Sequence, residues 1–600
     1  MSNQDKHRIA IIDSNKCKPK KCNHECEKAC PVNASGKVCI EIEETIAVIN
    51  DSLCVGCTMC VKKCPFGAIK IINIPSQIAD HLVHSYGENL FKLYKLPSPK
   101  LGKIIGILGP NGCGKTTIMN ILSKNIIPNF GKDTIIEQDV LKNVRGTELQ
   151  KYLKKLYGDE FKINIKPQNI INLLKSLKDP NINVKEVLSK YQDYKDYNNI
   201  IKTLDIDKIY NNKITLLSGG ELQKLVCAIS MLKDGDVYIF DEPTNYLDIE
   251  YRIKVANLIK DLCTYEKYIF VVDHDLSIMD FVADYIHVMY GDAGAYGCVS
   301  TLYSTLEGIN IYFDGYIPAD NIRFRDEPYK LNKLEYAPDE ILTENRHKLE
   351  YTDQTITFEH FELKINKSTI DSRTNIIVVL GKNGTGKTTY LNYLCKELGY
   401  TVSYKQQLNG AEFANIKLTV QDLLYDKIKD AMLNEMFLSD VIKLMDINKI
   451  YNKKVKKLSG GELQRLSLAL CLGQPADVYL IDEPSASLDV EQRFNATKVI
   501  KRFLLHNRKI GFVVEHDILM AISIAKEQNS KIIVFEEVSD TNNIRYCQTS
   551  PLYDFNTGIN YFLKSINTTF RSDIINNRPK INKYDSVKDA EQKKINKYYM

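Results

Sequence analysis

The sequence lacks tryptophan, long apolar runs and a strong net charge. Among its 600 residues there is no apolar run of about 18, the length that a membrane-spanning helix needs. Its first residues also lack the apolar stretch and cleavage site of a secretory signal, so we expect a cytoplasmic protein with no membrane partner. A net charge of +5 excludes a general polycation and leaves local basic patches as the candidate contacts with phosphate.

Cysteine is abundant and unevenly placed, because nine of the 16 cysteines fall between residues 17 and 64. In a chain without a secretion signal, such clustering indicates metal ligands rather than disulfides. One run has the spacing of a bacterial ferredoxin, and a looser run with the same terminal Cys-Pro precedes it. We predict two [4Fe-4S] clusters that exchange their fourth ligands, one held by Cys17, Cys22, Cys26 and Cys64, the other by Cys54, Cys57, Cys60 and Cys30.

Zinc is the alternative for this segment, although tetrahedral zinc sites favour two separated CxxC pairs over a triplet with one distant cysteine. The ninth cysteine, Cys39, lies in an alternating, strand-like stretch and is predicted to be a small core residue. His24 is predicted to lie at the surface rather than to bind metal.

Two glycine-rich loops each follow an apolar strand and precede a helical segment, which is the context of a P-loop. Their backbone amides and the helix N-terminus favour phosphate, the lysine reaches the terminal phosphates, and the first threonine holds Mg²⁺. The predicted nucleotide-binding residues are Asn111, Gly112, Gly114, Lys115, Thr116 and Thr117 in the first loop, and Asn383, Gly384, Gly386, Lys387, Thr388 and Thr389 in the second.

Paired carboxylates end two further apolar strands, in VYIFDEP and VYLIDEP. The first of each pair, Asp241 or Asp482, can orient the Mg²⁺ shell. The second, Glu242 or Glu483, can position the attacking water or act as its general base. Adjacent buried acids without a metal would be costly, so a purely structural role is disfavoured.

The segments LSGGELQ at 217–223 and 458–464 resemble the signature of ATP-binding-cassette (ABC) proteins. That resemblance implies two head-to-tail halves that share two ATP sites, with Lys115 working beside Ser459 and Lys387 beside Ser218. It also implies further site residues. These are Gly219, Gly220, Gly460 and Gly461 in the signatures, Asp248 and Asp489 in the D-loops, His274 and His516 as switch histidines, and Gln168 and Gln407 as Q-loop ligands of Mg²⁺.

Spacing between equivalent motifs locates an insertion in the first half. Lys115 and Lys387 are 272 residues apart, whereas Asp241 and Asp482 are only 241 apart. Residues 140–163 account for most of the difference, and they contain apolar residues at helical spacing: Leu149, Tyr152, Leu153, Leu156 and Tyr157. Thr147 and Gln150 predict a capping box, and Gly158 predicts the helix end. Lys151, Lys154 and Lys155 fall off the apolar stripe and could contact RNA or only solvent.

The order of these motifs, with GINIYFDGYIPADNIRFR between the halves and NRPKINKYDSVKDAEQKK near the end, resembles subfamily E of the ABC proteins, the RNase L inhibitor and ribosome-recycling ATPase. The resemblance covers nearly the whole chain. It implies a multidomain α/β protein in which a ferredoxin-like α+β domain (1–75) precedes two P-loop cassettes (76–300 and 346–547). Hinge segments are expected at 301–345 and within 548–600, a region that also holds a basic tail.

The same resemblance implies an ATPase that splits ribosomes into subunits by ATP-driven closure of the cassettes. Expected partners are the small ribosomal subunit with its rRNA and a release or rescue factor. Initiation factors are further candidate partners, and the protein itself is expected to be a monomer. Tyr86 with Phe91, and Tyr351 with Phe361, are expected to flank the adenines. Two departures from the family pattern are KQQ at Gln407 and Asp273 before His274.

Two other functions stay open on the sequence. One is an ATP-gated iron-sulfur electron-transfer protein, although no flavin or substrate motif supports it. The other is a cassette translation factor that binds ribosomes without splitting them. Either would retain the motifs described above.

Overall fold

The computed structural model describes residues 7–600 except 14–15, 52, 133–135, 171–180, 195, 330, 332–348, 359–360, 372–373, 408–410, 528 and 540–544. The expected first hinge segment, 301–345, therefore lies partly outside the described residues, as does the start of the expected first domain. No helix within the described part is both long and apolar enough to cross a membrane.

The N-terminal domain is a small α+β unit whose first and last strands pair with each other. Strands His7–Ile12 and Ile69–Ile74 pair antiparallel, which brings both ends of the cysteine-rich segment together. Between them lie a short hairpin, Ile40–Ile42 with Ala47–Ile49, and the helices Glu25–Lys28, Pro31–Ala34 and Met59–Lys63.

Each cassette is built on an eight-stranded sheet whose P-loop strand lies near the centre. Apolar, β-branched residues dominate the P-loop strands Lys103–Leu108 and Ile376–Gly381, as expected for strands covered on both faces. In spatial order the first sheet is Leu82–Ser85, Lys92–Tyr94, Tyr296–Ser304, Tyr285–Asp292, Lys103–Leu108, Tyr268–Val272, Val237–Asp241 and Ile163–Lys166.

The second sheet has the same topology strand for strand. Its order is Gln354–Phe358, Phe361–Ile365, Arg545–Thr549, Ser530–Ser539, Ile376–Gly381, Ile510–Val514, Val478–Asp482 and Val402–Lys405. In both sheets the P-loop strand and the strand with the paired acids flank one parallel strand, so the P-loop and the acids meet at the same edge.

Helices cover both faces of each sheet. Those of the first cassette are Ser76–Ala79, Lys115–Leu122, Glu137–Asn143, Glu148–Tyr157, Val184–Leu188, Tyr197–Thr203, Gly219–Leu232, Ile249–Leu262, Leu276–Val282 and Thr305–Asp314. Those of the second are Lys387–Glu397, Ala411–Ala414, Val420–Lys427, Lys429–Met432, Glu435–Phe437, Gly460–Gly473, Val490–His506, Ile518–Ala525 and Phe555–Ser565.

The insertion forms two helices, Glu137–Asn143 and Glu148–Tyr157. All five apolar residues predicted for the second helix are buried, and its three off-stripe lysines are exposed. The capping box is only half formed. Thr147 accepts from the Gln150 amide, but the Gln150 side chain accepts from Gly146 rather than from Thr147. Gly158 follows the last helical residue without the left-handed φ of a glycine cap.

The chain after residue 548 joins the two cassettes. Strands Phe570–Ser572 and Pro579–Ile581 pair, and helix Val587–Lys594 follows them. Ser277 of the first cassette donates to the Pro579 carbonyl at 3.4 Å, and Arg578 lies 3.4 Å from Asp280. The first hinge segment adds the strand pair Tyr316–Ile317 and Ile322–Arg323, and Tyr329 stacks on Phe494 of the second cassette at 4.3 Å.

Candidate nucleotide site and cysteine sites

The two P-loops have the same local geometry. Gly114 and Gly386 cap their helices at φ 92° and 91°, a left-handed conformation that a side chain rarely adopts. A Cβ at Gly114 would lie 2.7 Å from the Phe91 ring, and one at Gly386 would lie 2.8 Å from the Phe361 ring. Glycine is therefore required in each loop for two reasons, the left-handed backbone and the lack of space for a Cβ. Each loop packs directly on a phenylalanine.

The P-loop lysines are buried and bonded to their own loops. Lys115 Nζ donates to the Gly109 carbonyl at 2.8 Å, and Lys387 Nζ donates to the Gly381 carbonyl at 3.0 Å. Burial lowers the pKa of Lys387 to about 8. Thr388 Oγ1 donates to Asp482 at 2.8 Å, which joins the second P-loop to its carboxylate strand.

The second acid of each pair sits in a shared polar cluster. Gln168 Nε2 donates to the Glu242 carboxylate at 2.7 Å, and His274 Nε2 lies 3.3 Å from it. The second half repeats this arrangement around Glu483. Its corresponding distances are 2.9 Å to Gln407 and 3.4 Å to His516. The KQQ departure at Gln407 thus leaves the glutamine in the same place.

The pKa values of the two acids in each pair are shifted in opposite directions. Burial and the charge of Glu242 raise the pKa of Asp241 to about 6, and burial and Glu483 do the same for Asp482. Burial would also raise the pKa of Glu242, but the hydrogen bond from His274 and the charge of Lys115 lower it to about 2. Burial and the charge of Lys115 lower the pKa of His274 itself, against the opposing effect of Glu242.

The D-loop aspartates join the two halves reciprocally. Asp248 caps its own helix by accepting from Tyr251, and its other oxygen accepts from the Asn383 amide of the opposite P-loop at 2.8 Å. Asp489 caps its helix in the same way and accepts from the Asn111 amide at 3.0 Å. Each D-loop therefore touches the other half's P-loop.

A cavity of about 720 Å³ lies between the first P-loop and the second signature. Each signature serine caps its helix through a capping box, with Ser218 bonded to Glu221 and Ser459 to Glu462. The cavity is lined from both halves. Its predicted members are Tyr86, Phe91, Asn111, Gly112, Gly114, Lys115, Thr116, Thr117, Gln168, Asp241, Glu242 and His274 from the first cassette, with Ser459, Gly460 and Gly461 from the second.

The cysteines separate into the two predicted groups. Cys17, Cys22, Cys26 and Cys64 line one small cavity. Backbone amides of Ala47 and Ala68 donate to the sulfurs of Cys17 and Cys64, both at 3.4 Å. In the other group, burial and the nearby Cys54 raise the pKa of Cys60 to about 11, with Cys57 and Cys30 contributing. The cavity lined by four thiols fits the ligand set of an iron-sulfur cluster, and the second group brings four further thiols near one another.

The two remaining candidates of this domain are not part of either set. Cys39 is 2% exposed and donates to the Asn50 carbonyl, with Cys30 and Cys54 close by. His24 is partly exposed beside Glu27. Both positions agree with the roles predicted for them.

Comparisons with known proteins match this architecture along the chain. Family models described as "ABC transporter", "Possible Fer4-like domain in RNase L inhibitor, RLI" and "4Fe-4S binding domain" match residues 98–245 with 363–486, 7–37 and 47–70, respectively. The chain is 43% identical to Protein Pixie of Drosophila melanogaster and 43% identical to translation initiation factor rli1 of Schizosaccharomyces pombe. These alignments cover 99% of this chain and 96% and 98% of those proteins. The chain belongs to the ABC E family.

Solved structures of E-family proteins share the fold. A model of ribosome-bound archaeal Pelota and ABCE1 superposes with a TM-score of 0.89 at 39% identity, covering 99% of both chains. The complex of archaeal ribosomal stalk protein aP1 with archaeal ribosome recycling factor aABCE1 gives 0.79 at 36% identity, covering 88% of this chain and all of that one. The cassettes are therefore ABC ATPase domains, and the N-terminal domain is of the [4Fe-4S]-binding type.

One expectation about the adenine contacts is wrong for this E-family chain. Tyr351 is 7% exposed, and its hydroxyl accepts from Tyr390 at 2.8 Å inside the core. Phe358 is the ring beside Phe361, with centroids 6.1 Å apart, and it is 54% exposed. It therefore takes the place that Tyr86 has beside Phe91, at 6.4 Å. The resemblance implies Tyr351, but strand pairing sets Phe358 opposite Phe361 and leaves Tyr351 in a separate strand pair with Ser368.

Sequence reasoning also missed several polar residues that line the first site, including Asn245 and Arg493. Asn245 Nδ2 donates to Glu242 at 3.3 Å, and Arg493 of the second cassette lines the cavity. The signal for Asn245 was its place three residues after the acid. Alanine stands at the equivalent position 486, so the two sites differ there.

Proposed function

We propose that this chain hydrolyses ATP to split ribosomes into subunits after termination or rescue. The cavity shared by the first P-loop and the second signature carries the proposal, because nucleotide can fill it only while the two halves face each other. E-family relatives support the proposed role at the ribosome, because the superposed proteins include a ribosome-bound ABCE1 and an archaeal ribosome recycling factor.

Within each site, the chain's residues divide the reaction. Lys115 would turn from its loop carbonyls to the terminal phosphates, and the opposing signature amides would meet the γ-phosphate. Thr116, Asp241 and Gln168 would hold Mg²⁺, which neutralises charge developing on the phosphates. Glu242, ionised and oriented by Gln168 and His274, would position the attacking water. Lys387, Thr388, Asp482, Gln407, Glu483 and His516 would serve the second site.

ATP would drive closure because both halves bind each triphosphate. Moving a two-state equilibrium from 1:99 to 99:1 requires about 5.5 kcal/mol of differential binding. The D-loop contacts of Asp248 and Asp489 connect each half to the opposite P-loop. Hydrolysis would then remove the γ-phosphate and release the halves.

The iron-sulfur domain would follow this motion through the loop that carries Tyr86 and Phe91. Asn89 in that loop donates to the carbonyls of Ala10 and Ile49 and accepts from the Ile49 amide at 2.6 Å. Lys92 also pairs with Asp51 of the iron-sulfur domain. Adenine binding and domain position are therefore linked through one loop. We propose two [4Fe-4S] clusters in that domain, bound as the two cysteine groups indicate.

Partners and location follow from the same proposal. We propose that the protein is a cytoplasmic monomer that binds the small subunit and its rRNA. A release or rescue factor would act beside it, as Pelota accompanies ABCE1 in the superposed model. The names of several relatives also favour contact with initiation factors.

The deciding experiment incubates the purified protein and ATP with post-termination ribosomes and a release factor, and resolves subunits on sucrose gradients. Wild-type protein should yield separate subunits. Glu242→Gln and Glu483→Gln should lower ATP turnover by about 100-fold or more and remain bound to a subunit with ATP trapped. Intact ribosomes with active ATPase would favour a cassette factor without splitting activity. Prompt release of both variants would contradict the closure mechanism.

A further inference from the structure

Two buried lysines, each two residues before a Q-loop glutamine, lie behind the acid pairs. Lys166 ends strand Ile163–Lys166 and is 0% exposed, and Lys405 ends strand Val402–Lys405 and is 2% exposed. Each strand pairs with the strand that carries the two acids. Among the described residues neither ammonium has a carboxylate oxygen within 4.0 Å. A buried charge without an ion pair is costly, so its hydrogen bonds become informative.

Both ammonium groups donate to backbone carbonyls of the acid pair. Lys166 Nζ donates to the Asp241 and Glu242 carbonyls, both at 2.8 Å. Lys405 Nζ donates to the Asp482 carbonyl at 2.7 Å. These peptides define the turn in which Glu242 and Glu483 adopt φ 49° and 46°. A left-handed glutamate is unfavourable by itself and persists only where its surroundings enforce it.

A glutamine from each signature helix donates to the same turn. Gln223 Nε2 donates to the Glu242 carbonyl at 2.9 Å, and Gln464 Nε2 donates to the Glu483 carbonyl at 2.6 Å. The turn is thus fixed from the Q-loop strand by lysine and from the signature helix by glutamine. Charge-assisted hydrogen bonds are stronger than neutral ones, which makes the lysine the larger contribution.

We propose that Lys166 and Lys405 are positioning residues for ATP hydrolysis. Each ammonium holds the left-handed turn that aims Glu242 or Glu483 at the attacking water, without touching nucleotide itself. This inference rests on the proposed ATPase activity. Misplacing a catalytic group by about 1 Å can cost about 100-fold in rate, while nucleotide binding by the P-loop is left in place.

The test compares Lys166→Met/Lys405→Met with wild type and with Lys162→Met/Lys396→Met, which removes two exposed lysines of the same cassettes. Steady-state ATPase gives kcat and KM, a fluorescent ATP analogue gives Kd, and thermal melting gives stability. We expect the buried-lysine variant to lose about 100-fold in kcat and to keep Kd within about threefold. The control variant should match wild type in all measurements.

Gln223→Met/Gln464→Met is a second test, because it removes the other side-chain donors to the same two turns. It should lower kcat less than the lysine variant does, again with Kd retained. If the double lysine variant is insoluble, the single lysine variants and the glutamine variant decide. A kcat within about twofold of wild type in the soluble variants would overturn the proposal. A parallel loss of kcat, nucleotide affinity and melting temperature would also overturn the proposal, because that pattern indicates a purely structural role. An inactive wild-type protein would instead contradict the proposed function.

Discussion

At the scale of single residues, the two sites are built from the same side chains with small differences. Glu242 and Glu483 share a glutamine, a histidine and a left-handed backbone, but only Glu242 has an asparagine donor three residues later. The aromatic pairs that we expect to meet the bases differ as well, because a tyrosine stands beside Phe91 and a phenylalanine beside Phe361. Unequal properties of the two sites would therefore arise from few positions.

The corrected adenine contact makes a residue-scale prediction. Phe358→Ala should weaken ATP binding at the second site by about 10-fold, because an exposed ring that stacks on the base contributes roughly 1–3 kcal/mol. Tyr351→Phe should leave nucleotide affinity unchanged, since its hydroxyl is bonded to Tyr390 in the core. Titration with a fluorescent ATP analogue measures both. An unchanged affinity in Phe358→Ala would contradict Phe358 as the base contact.

The acid pairs predict how Mg²⁺-ATP binding depends on pH. Asp241 and Asp482 have a pKa raised to about 6, so they are largely protonated below pH 6 and ionised above it. A metal ligand must be deprotonated, and Mg²⁺-dependent affinity should therefore rise from pH 5 to pH 7 and level off above. Affinity for ATP with EDTA present should change much less. A flat profile with Mg²⁺ would contradict the assignment of these aspartates.

At the scale of secondary-structure elements, the insertion shows which features of a helix a local sequence pattern can predict. Apolar spacing placed the helix Glu148–Tyr157 correctly because its buried stripe packs on the sheet of the first cassette, where Tyr152 contacts Phe270. Its N-terminal cap differs from the prediction, because the Gln150 side chain accepts a hydrogen bond from the Gly146 amide instead of the Thr147 amide. Which partner an exposed cap selects depends on loop geometry that the pattern does not contain.

The lysines of this helix give an element-scale prediction. Changing Lys151, Lys154 and Lys155 to alanine should weaken ribosome binding and reduce its dependence on salt, because phosphate contacts release counterions. The matched control changes Lys185, Lys190 and Lys202, which are exposed elsewhere in the same cassette. Binding is measured by co-sedimentation across a salt series. Identical behaviour of the two triple variants would show that the insertion's basic face only meets solvent.

At the scale of the whole molecule, the reciprocal contacts make the cassettes one unit. The D-loop aspartates, the contact of Arg578 with Asp280 and the stacked Tyr329 and Phe494 all connect the halves. The iron-sulfur domain joins this unit through Asn89 and Lys92 of the first cassette. A change at either nucleotide can therefore reach the domain that we propose acts on the ribosome.

The last prediction separates the role of the iron-sulfur domain from that of the cassettes. Cys54→Ser should remove one predicted cluster ligand and abolish subunit splitting, while ATP hydrolysis without ribosomes stays within about twofold of wild type. The control, Cys395→Ser, changes an exposed cysteine of the second cassette. Iron content, absorbance and gradients are compared for both variants. Full splitting by a protein that has lost iron would show that the clusters are dispensable.

Motif chemistry and local periodicity were readable from the sequence alone, because P-loops, signatures, paired acids and ferredoxin spacing each fix short-range geometry. Together with the family resemblance, they predicted the order of domains, the insertion helix and 15 of the 25 residues that line the shared cavity. Contacts between distant segments were decided by the tertiary structure. Strand pairing buried Tyr351 and exposed Phe358, and the neighbouring strand placed Lys166 beneath the acids, because burial and long-range hydrogen bonds depend on neighbours that no local pattern specifies.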